Sequence, residues 1–180
     1  YANPRHEIEA IRHITLRHPE IATTASHEVA PEIREYERAS TTVANAYIKP
    51  LAQQYLALMA RRVSELRIPA PLLLMLSSGG LTHVQEARRV PVQMLESGPA
   101  AGAIAAAFFG RPDSSGNVLA FDMGGTTAKL SLVDGGEPLT AYAFEAARQK
   151  RFLEGSGLPI RISTIELIEI GAGGGSIARV

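Results

Sequence analysis

The sequence predicts an α/β fold in two parts, a mainly helical section over residues 1–70 and an α/β part over residues 71–180. Two observations predict it. Apolar residues from Val43 to Leu66 recur at the spacing of one helix face. After about residue 70 the period changes to short apolar runs separated by glycine-rich turns, which is typical of strands. Strands that alternate with helices after a helical front section indicate an α/β protein.

Two helices are predicted in the first part. Asn3 can cap a helix whose first residue is Pro4. A long helix is expected after the charged residues 31–40, beginning at a cluster of capping residues at positions 40–42. We expect Pro50 to kink or divide this helix, because proline removes a backbone hydrogen bond from a helix interior.

In residues 71–180 the sequence predicts several strands and one helix. LLLML is consistent with a strand buried on both faces, and VPVQML is a second strand candidate. ESGPAAGAIAAAFFG predicts a helix that starts near Ser97 and ends at Gly110. VLAFDMGGTTAKLSLVDGGEPLTAYAFEA predicts three strands joined by turns at GG and DGG, and IRISTIELIEI predicts a last strand. Upstream of the long helix, IATTASHEVAP reads as a strand or an extended link.

Composition excludes several classes of protein. The chain of 180 residues is 46% hydrophobic and 20% charged, which suits a globular core. Basic and acidic residues number 18 each, so we expect no nucleic-acid partner. No apolar run approaches the roughly 18 residues of a membrane span, so none is expected. The absence of cysteine excludes disulfides and thiolate metal sites and fits a cytoplasmic protein.

The chain starts without Met and stops within a strand-like segment, which predicts a fragment of a longer protein.

The stretch FDMGGTTAKL places an acid, two glycines, two hydroxyls and a lysine at the exit of an apolar strand. Glycine lets backbone N–H groups approach an anion, and hydroxyls add donors. An aspartate at a strand end, here Asp122, can hold hydrated Mg²⁺. The candidate phosphate-binding residues are Gly124, Gly125, Thr126 and Thr127. The same stretch suits a tight turn between two strands, and both interpretations stay open.

Three other small-residue segments are also candidates for phosphate binding. They are SSGG at residues 77–80, the helix start at Ser97 and Gly98, and the loop after the last strand. The loop residues concerned are Gly173, Gly174, Gly175 and Ser176. Each segment also has a structural explanation, as a flexible loop or as close packing of a helix on a sheet. No Walker A sequence occurs, and GAGGGS lacks the final glycine of a dinucleotide-binding motif.

Three titratable residues are weaker catalytic candidates. Glu166 and Glu169 lie in the apolar strand before GAGGGS and, three positions apart, are expected to face opposite sides of it. A buried carboxylate needs a metal, a cation or a proton, so one of them could point into a site. His27 is the third candidate, although the acids around it also suit a solvated helix face.

Taken together, DMGGTTAK, SSGG, ESGPAAGA and EIGAGGGSIARV, with SHEVAPEIREYERASTTVANAY upstream, resemble the hydantoinase/5-oxoprolinase family, specifically its HyuA-type ATP-binding subunit. The resemblance runs from about residue 3 to the end, and the last stretch is most similar to the N-methylhydantoinase and acetone carboxylase branches. It implies part of an actin-like ATPase fold of the ribonuclease H type, in which two hairpin loops clasp the nucleotide phosphates. FDMGGTTAKL looks like the second of these loops, and the first is missing.

The resemblance implies a fragment of an ATP-dependent hydrolase that opens cyclic amides or imides, of the hydantoin or 5-oxoproline type, by phosphorylating a carbonyl oxygen. ATP and Mg²⁺ would be the cofactors, with Asp122 holding Mg²⁺ through water and residues 124–127 binding phosphate. Ser97, Gly98 and residues 173–176 would line the nucleotide or substrate side. A HyuB-type partner subunit or domain is expected.

Two alternatives stay open. The first is an ATP-dependent carboxylase subunit of the acetone carboxylase type, with a ketone substrate. The second is a non-catalytic scaffold that uses the helix of residues 41–66 as a subunit contact. Many family members have Asp-x-His-Thr before GAGGGS, where this chain has Glu166-Leu167-Ile168-Glu169. A metal role for this strand is therefore not carried over.

Overall fold

The computed structural model describes residues 2–110, 116–150, 153, 155–177 and 179. The chain forms two compact units, each built from segments that are not consecutive. Unit 1 comprises Tyr1–Leu74, Leu81–Leu95 and Tyr142–Ile162. Unit 2 comprises Met75–Gly80, Glu96–Ala141 and Ser163–Val180. The division of the chain at residue 70 stays a prediction.

Helices and strands are both present, in agreement with the predicted α/β class. The helices are α1 (Arg5–Arg17), α2 (Ser26–Val29), α3 (Glu35–Glu65), α4 (Val84–Arg89) and α5 (Ser97–Gly110), with a 3₁₀ helix at Pro91–Met94. The strands are β1 (Leu73–Met75), β2 (Leu81–His83), β3 (Val118–Met123), β4 (Ala128–Asp134), β5 (Glu137–Pro138), β6 (Thr140–Ala141), β7 (Phe144–Ala146), β8 (Leu158–Ile160), β9 (Thr164–Ile165) and β10 (Ile168–Ile170).

Unit 1 is organised around the long helix α3. Its largest cluster of buried apolar side chains consists of Val29, Val90, Val92, Ile160 and Ile162. Buried polar residues of α3 fix the segments that pack on it. Asn45 is fully buried; its Oδ1 accepts a hydrogen bond from the Val92 N–H at 3.1 Å, and its Nδ2 donates to the Arg89 carbonyl at 3.4 Å. Ser40 Oγ donates to the Pro159 carbonyl at 2.7 Å. These bonds hold chain segments that are far apart in sequence.

The predicted start of α3 is wrong. The helix begins at Glu35, so the expected capping residues lie inside it. The reason is that Thr41 and Thr42 donate their hydroxyls to carbonyls one turn earlier, those of Glu37 and Arg38, at 2.7 Å each. Of the two effects expected of Pro50, division of the helix does not occur, since the helix continues to Glu65, and the kink stays a prediction.

Several predicted strands differ from the structure. VPVQML forms the 3₁₀ helix instead of a strand, because Pro91 favours a helical first turn and the Val92 N–H is used by Asn45. LLLML forms only β1, half exposed and paired with β2, so it is not a strand buried on both faces. IRISTIELIEI is not one strand: it contains the last residue of β8 and then the separate strands β9 and β10. Part of IATTASHEVAP forms α2. The helix predicted from Asn3 begins at Arg5, whose N–H donates to Asn3 Oδ1 at 3.1 Å.

Unit 2 contains an antiparallel sheet in which β4 is central, with β3 on one side, β10 on the other, and β5 also paired with β4. Of the three strands predicted around the GG and DGG turns, the first two are present as β3 and β4. The third is broken into β5, β6 and β7, which pair with β4, β9 and β8 respectively. Helix α5 buries Ala100 and Ala103 against Ile165. The small side chains of α5 therefore pack on β9.

Helix α3 also exposes large apolar side chains at a spacing of four residues. Tyr47 is 86% exposed, Leu51 74% and Tyr55 60%. Residues at this spacing lie on one helix face, so this face of α3 is an apolar stripe. In the part of the chain that the structure describes, no helix is both long and apolar enough to cross a membrane.

Candidate functional site

The stretch FDMGGTTAKL forms a hairpin whose tip is exposed. Strands β3 and β4 pair in the register Met123↔Ala128, and the Gly124 N–H donates to the Thr127 carbonyl at 2.9 Å. Gly125 and Thr126 form the tip, and both are exposed. The tight-turn interpretation of the sequence is therefore right as geometry. A tight turn does not exclude phosphate binding, because both tip residues are exposed.

The GAGGGS loop packs directly on this tip. Pairing of Ile170 with Ala128 brings the end of β10 beside the hairpin, and the Gly174 N–H then donates to the Gly124 carbonyl at 2.9 Å. Gly173 is buried against the tip. A Cβ at Gly173 would lie 2.5 Å from the Gly125 carbonyl carbon and 2.5 Å from the Thr126 nitrogen. Backbone approaches this close require glycine, so two of the predicted segments form one structure.

The start of α5 joins the hairpin through an ion pair. Glu96, the residue before α5, lies 3.0 Å from the ammonium of Lys129 on β4. Glu96 has a φ of 60°, which non-glycine residues rarely adopt. A Cβ built at Gly98 in the first turn meets no atom within 4 Å, so Ser97 and Gly98 begin the helix beside open space. The third predicted segment is thus linked to the same hairpin.

Lys129 lies in the middle of an acid–lysine–acid row across the sheet. Its register partners are Asp122 on β3 and Glu169 on β10, and directly opposite residues share one face of a sheet. The Lys129 nitrogen lies 3.6 Å from Glu169 Oε1 and donates to Thr127 Oγ1 at 3.2 Å. Burial lowers the pKa of the Lys129 ammonium, but hydrogen bonds and charge from Glu96 and Glu169 outweigh it and raise that pKa. Lys129 is therefore charged at neutral pH.

Sequence reasoning missed the roles of Lys129 and Glu96. The signal was present, because a glutamate precedes each of two small-residue segments, in ESGP and in EIGAGGGS. A lysine on the strand between them is the cation that both glutamates contact.

Glu169 and Glu166 do not share a strand. Glu169 lies in β10 with its side chain 51% exposed, and it faces Lys129. Glu166 is exposed between β9 and β10, where its N–H donates to the Leu139 carbonyl at 2.8 Å. The predicted continuous strand is interrupted at this point, so the expected alternation of the two carboxylates does not apply.

His27 lies in unit 1 and has a structural contact there. Its Nδ1 is 3.0 Å from Glu7 Oε2, and Ser26 Oγ donates to Glu7 Oε1 at 2.6 Å. Burial on its own raises the pKa of the Glu7 carboxyl, but hydrogen bonds from Ser26 and His27 outweigh it and lower that pKa from 4.5 to about 2. This cluster joins α1 to α2.

The SSGG segment does not reach the hairpin tip. Gly79 has a φ of 85° and lies against Ile104 and Ile165. Residues of SSGG line a cleft of about 420 Å³ with Gly136, which belongs to the turn at the opposite end of β4. Of the four small-residue segments, three therefore converge and SSGG does not.

The residues at the hairpin suit a phosphate group and a hydrated Mg²⁺. A Cβ at Gly125 or Gly175 would meet no atom within 4 Å, so an anion can approach the backbone there. Asp122 is exposed at the end of β3 and lines a cleft of about 230 Å³ together with Lys129 and Ser131. Among the described residues, no group of three His, Asp or Glu side chains could hold a metal ion. A single carboxylate suits Mg²⁺, which keeps several of its waters.

The sequence of this chain is similar to that of one known protein family and of several individual proteins. The family model described as hydantoinase/oxoprolinase matches residues 38–180. An uncharacterized protein of Methanocaldococcus jannaschii is 42% identical over 183 residues, which cover all of this chain and 27% of that protein. The caprolactamase subunit alpha of Pseudomonas jessenii is 34% identical over 178 residues, which cover 99% of this chain and 24% of that subunit. The chain spans about a quarter of the length of these relatives.

A solved structure shows the same fold. A nucleotide-free structure of acetone carboxylase matches with a TM-score of 0.76 and 24% identity, over 96% of this chain and 23% of that chain. At this identity the likeness concerns the fold alone.

Proposed function

Because the chain belongs to the hydantoinase/oxoprolinase family, we propose that it is part of an enzyme that uses Mg·ATP to open a cyclic amide or imide of the hydantoin or 5-oxoproline type. The observation that carries this proposal is the exposed hairpin tip with the GAGGGS loop packed on its backbone. The relative named caprolactamase subunit alpha supports a cyclic amide as the substrate class.

The proposed fold of the whole protein is an actin-like ATPase of the ribonuclease H type. The described sheet order, with β4 between β3 and β10, and the hairpin at its edge support this assignment. FDMGGTTAKL would then be the second of two phosphate-clasping hairpins.

In this proposal the residues bind and position the nucleotide. Asp122 holds Mg²⁺ through water, and the N–H groups at Gly125 and Thr126 with the Thr126 and Thr127 hydroxyls donate to phosphate oxygens. Ser97, Gly98 and the Gly173–Ser176 loop line the nucleotide or substrate side. Bound Mg·ATP supplies the phosphoryl group that makes a poorly electrophilic carbonyl open to attack by water. Positioning and charge neutralisation are therefore the main contributions of this chain.

We also propose a partner subunit of the HyuB type. The apolar stripe of Tyr47, Leu51 and Tyr55 on α3 supports a protein contact, since large exposed apolar patches mark interaction sites. The relative caprolactamase is itself named as a subunit.

The test is ADP release by the full-length protein with Mg·ATP, with 5-oxoproline, hydantoin, N-methylhydantoin or caprolactam added singly. One cyclic amide is expected to stimulate release, and Asp122→Asn is expected to lower the stimulated rate by about 100-fold or more, as for loss of one electrostatic contact to a reacting group. Asp134→Asn is the matched control, because Asp134 is also exposed and lies at the other end of β4.

Two outcomes contradict the proposal. Equal loss in both variants, or none in either, would remove Asp122 from the site. Stimulation by acetone with bicarbonate, and by no amide, would assign the protein to the carboxylase alternative.

A further inference from the structure

Lys129 is the residue at which the three converging segments meet. Its ammonium contacts Glu96 before α5, Glu169 before the GAGGGS loop, and the hydroxyl of Thr127 in the hairpin. We call these four residues the Lys129 cluster. The Lys129 side chain is only 17% exposed and that of Glu96 only 24%, so solvent screens this pair less than a surface pair.

The charges of the cluster argue against direct binding of phosphate by Lys129. One ammonium faces two carboxylates, so the three charged groups sum to a net charge of about −1. Two acceptors lie within hydrogen-bond distance of the ammonium, Thr127 Oγ1 at 3.2 Å and Glu96 Oε2 at 3.0 Å, and the Glu169 carboxylate at 3.6 Å adds a second ion pair. An incoming anion would therefore meet a cation that is already neutralised.

The contact with Thr127 has a directional consequence. A hydroxyl has one proton and two lone pairs. Because Thr127 Oγ1 accepts a hydrogen bond from Lys129, its own proton has to point away from the ammonium. Thr127 is thereby prepared as a donor, which is the role that an anion at the hairpin tip requires.

The contact with Glu96 has a consequence for the backbone. Glu96 is held at a φ of 60°, a conformation that costs free energy for a residue with a side chain. Its carbonyl accepts the first hydrogen bond of α5, from the Ala100 N–H at 3.1 Å. The ion pair with Lys129 thus fixes the direction in which α5 starts.

We propose that Lys129 is a positioning residue for the nucleotide phosphates, which orients the Thr127 hydroxyl as a donor and holds the α5 start and the GAGGGS loop beside the hairpin tip. This inference rests on the proposed function. It assigns Lys129 no contact with the nucleotide itself.

The test is the Kd for Mg·ATP of the full-length protein, measured by calorimetry on variants. Lys129→Met keeps the stem and removes the charge, and it is expected to weaken binding at least about tenfold, the effect of one hydrogen bond to a charged group. Lys49→Met is the matched control. Lys49 is likewise a lysine that donates a hydrogen bond, to the Thr23 carbonyl at 2.8 Å, but it lies in unit 1. It is expected to leave the Kd unchanged.

A double-mutant cycle separates positioning from general loss of structure. If Lys129 acts through Thr127, then Thr127→Val in the Lys129→Met background weakens binding less than it does alone. Independent effects that multiply would refute this step.

The remaining outcomes are distinguishable. If the wild type binds no Mg·ATP, the proposed function fails and the inference fails with it. If the wild type binds and Lys129→Met stays within about twofold of it, the inference is wrong and the proposed function stands. If Lys129→Met does not fold, the Lys129→Met/Glu96→Gln variant, which leaves no unpaired charge at Glu96, is held to the same criteria.

Discussion

Replacing Gly173 by alanine tests the contact between the GAGGGS loop and the hairpin. The added Cβ would overlap three backbone atoms of Gly125 and Thr126, two of them at 2.5 Å. Backbone atoms cannot rotate away, so we expect a cost at the upper end of overpacking, about 2–3 kcal/mol. The protein either loses this free energy of unfolding or relieves the overlap by undocking the loop. In the second case Mg·ATP has to restore the docked state, which raises its Kd by about 30- to 150-fold.

The assay measures Tm and the Kd for Mg·ATP on the full-length protein. Gly175→Ala is the matched control for Tm, since its Cβ would meet no atom within 4 Å and its φ is not in the positive range. It is expected to be neutral or to stabilise by about 0.4–1 kcal/mol through the unfolded chain. If Gly173→Ala shows the Tm of Gly175→Ala and the Kd of the wild type, the close packing described for the loop is wrong.

Two further predictions concern unit 1. Asn45→Ala is expected to lower the free energy of unfolding by about 1–3 kcal/mol, because it leaves the buried Val92 N–H without its acceptor. The control is Gln53→Ala, which removes the more exposed hydrogen bond to the Arg88 carbonyl and is expected to cost less in the same denaturation experiment. The pKa of Glu7 is lowered from 4.5 to about 2, so its hydrogen bonds with Ser26 and His27 stabilise the protein above pH 4.5, and this contribution is lost as the pH falls toward 2. Glu7→Gln is therefore expected to show a smaller decrease of Tm over this pH range than the wild type. An equal decrease in both proteins would contradict the stabilising role of the ionised Glu7 carboxylate.

The local parts of the fold could be predicted from the sequence, because their signals lie within a few residues. The GG turn predicted the β3–β4 hairpin, and the small residues after Ser97 predicted α5. VPVQML was predicted wrongly because its conformation depends on Asn45, 47 residues away. The start of α3 was missed because Thr41 and Thr42 bond to the preceding turn instead of capping the next.

The same difference applies to the candidate site. Asp122 and the Gly124–Thr127 tip could be identified from one short stretch of sequence. Lys129 could not, since its role depends on Glu96 and Glu169, which reach it only through the pairing of β10 with β4 and the placement of α5. The sequence also does not show that SSGG lies far from the tip. That separation arises because SSGG lies near Gly136, at the end of β4 opposite the tip.

The interleaving of the two units bears on how the chain acquires its structure during synthesis. Unit 1 needs Ile160 and Ile162 for its core, and α3 near the front of the chain bonds to Pro159, 119 residues later. The Ser40 hydroxyl of this helix therefore has no Pro159 carbonyl to bond to until 119 further residues have been synthesised. Contacts between such distant residues slow folding because the intervening loop has to close first. Loss of the segment that carries Pro159, Ile160 and Ile162 would therefore remove part of the core of unit 1.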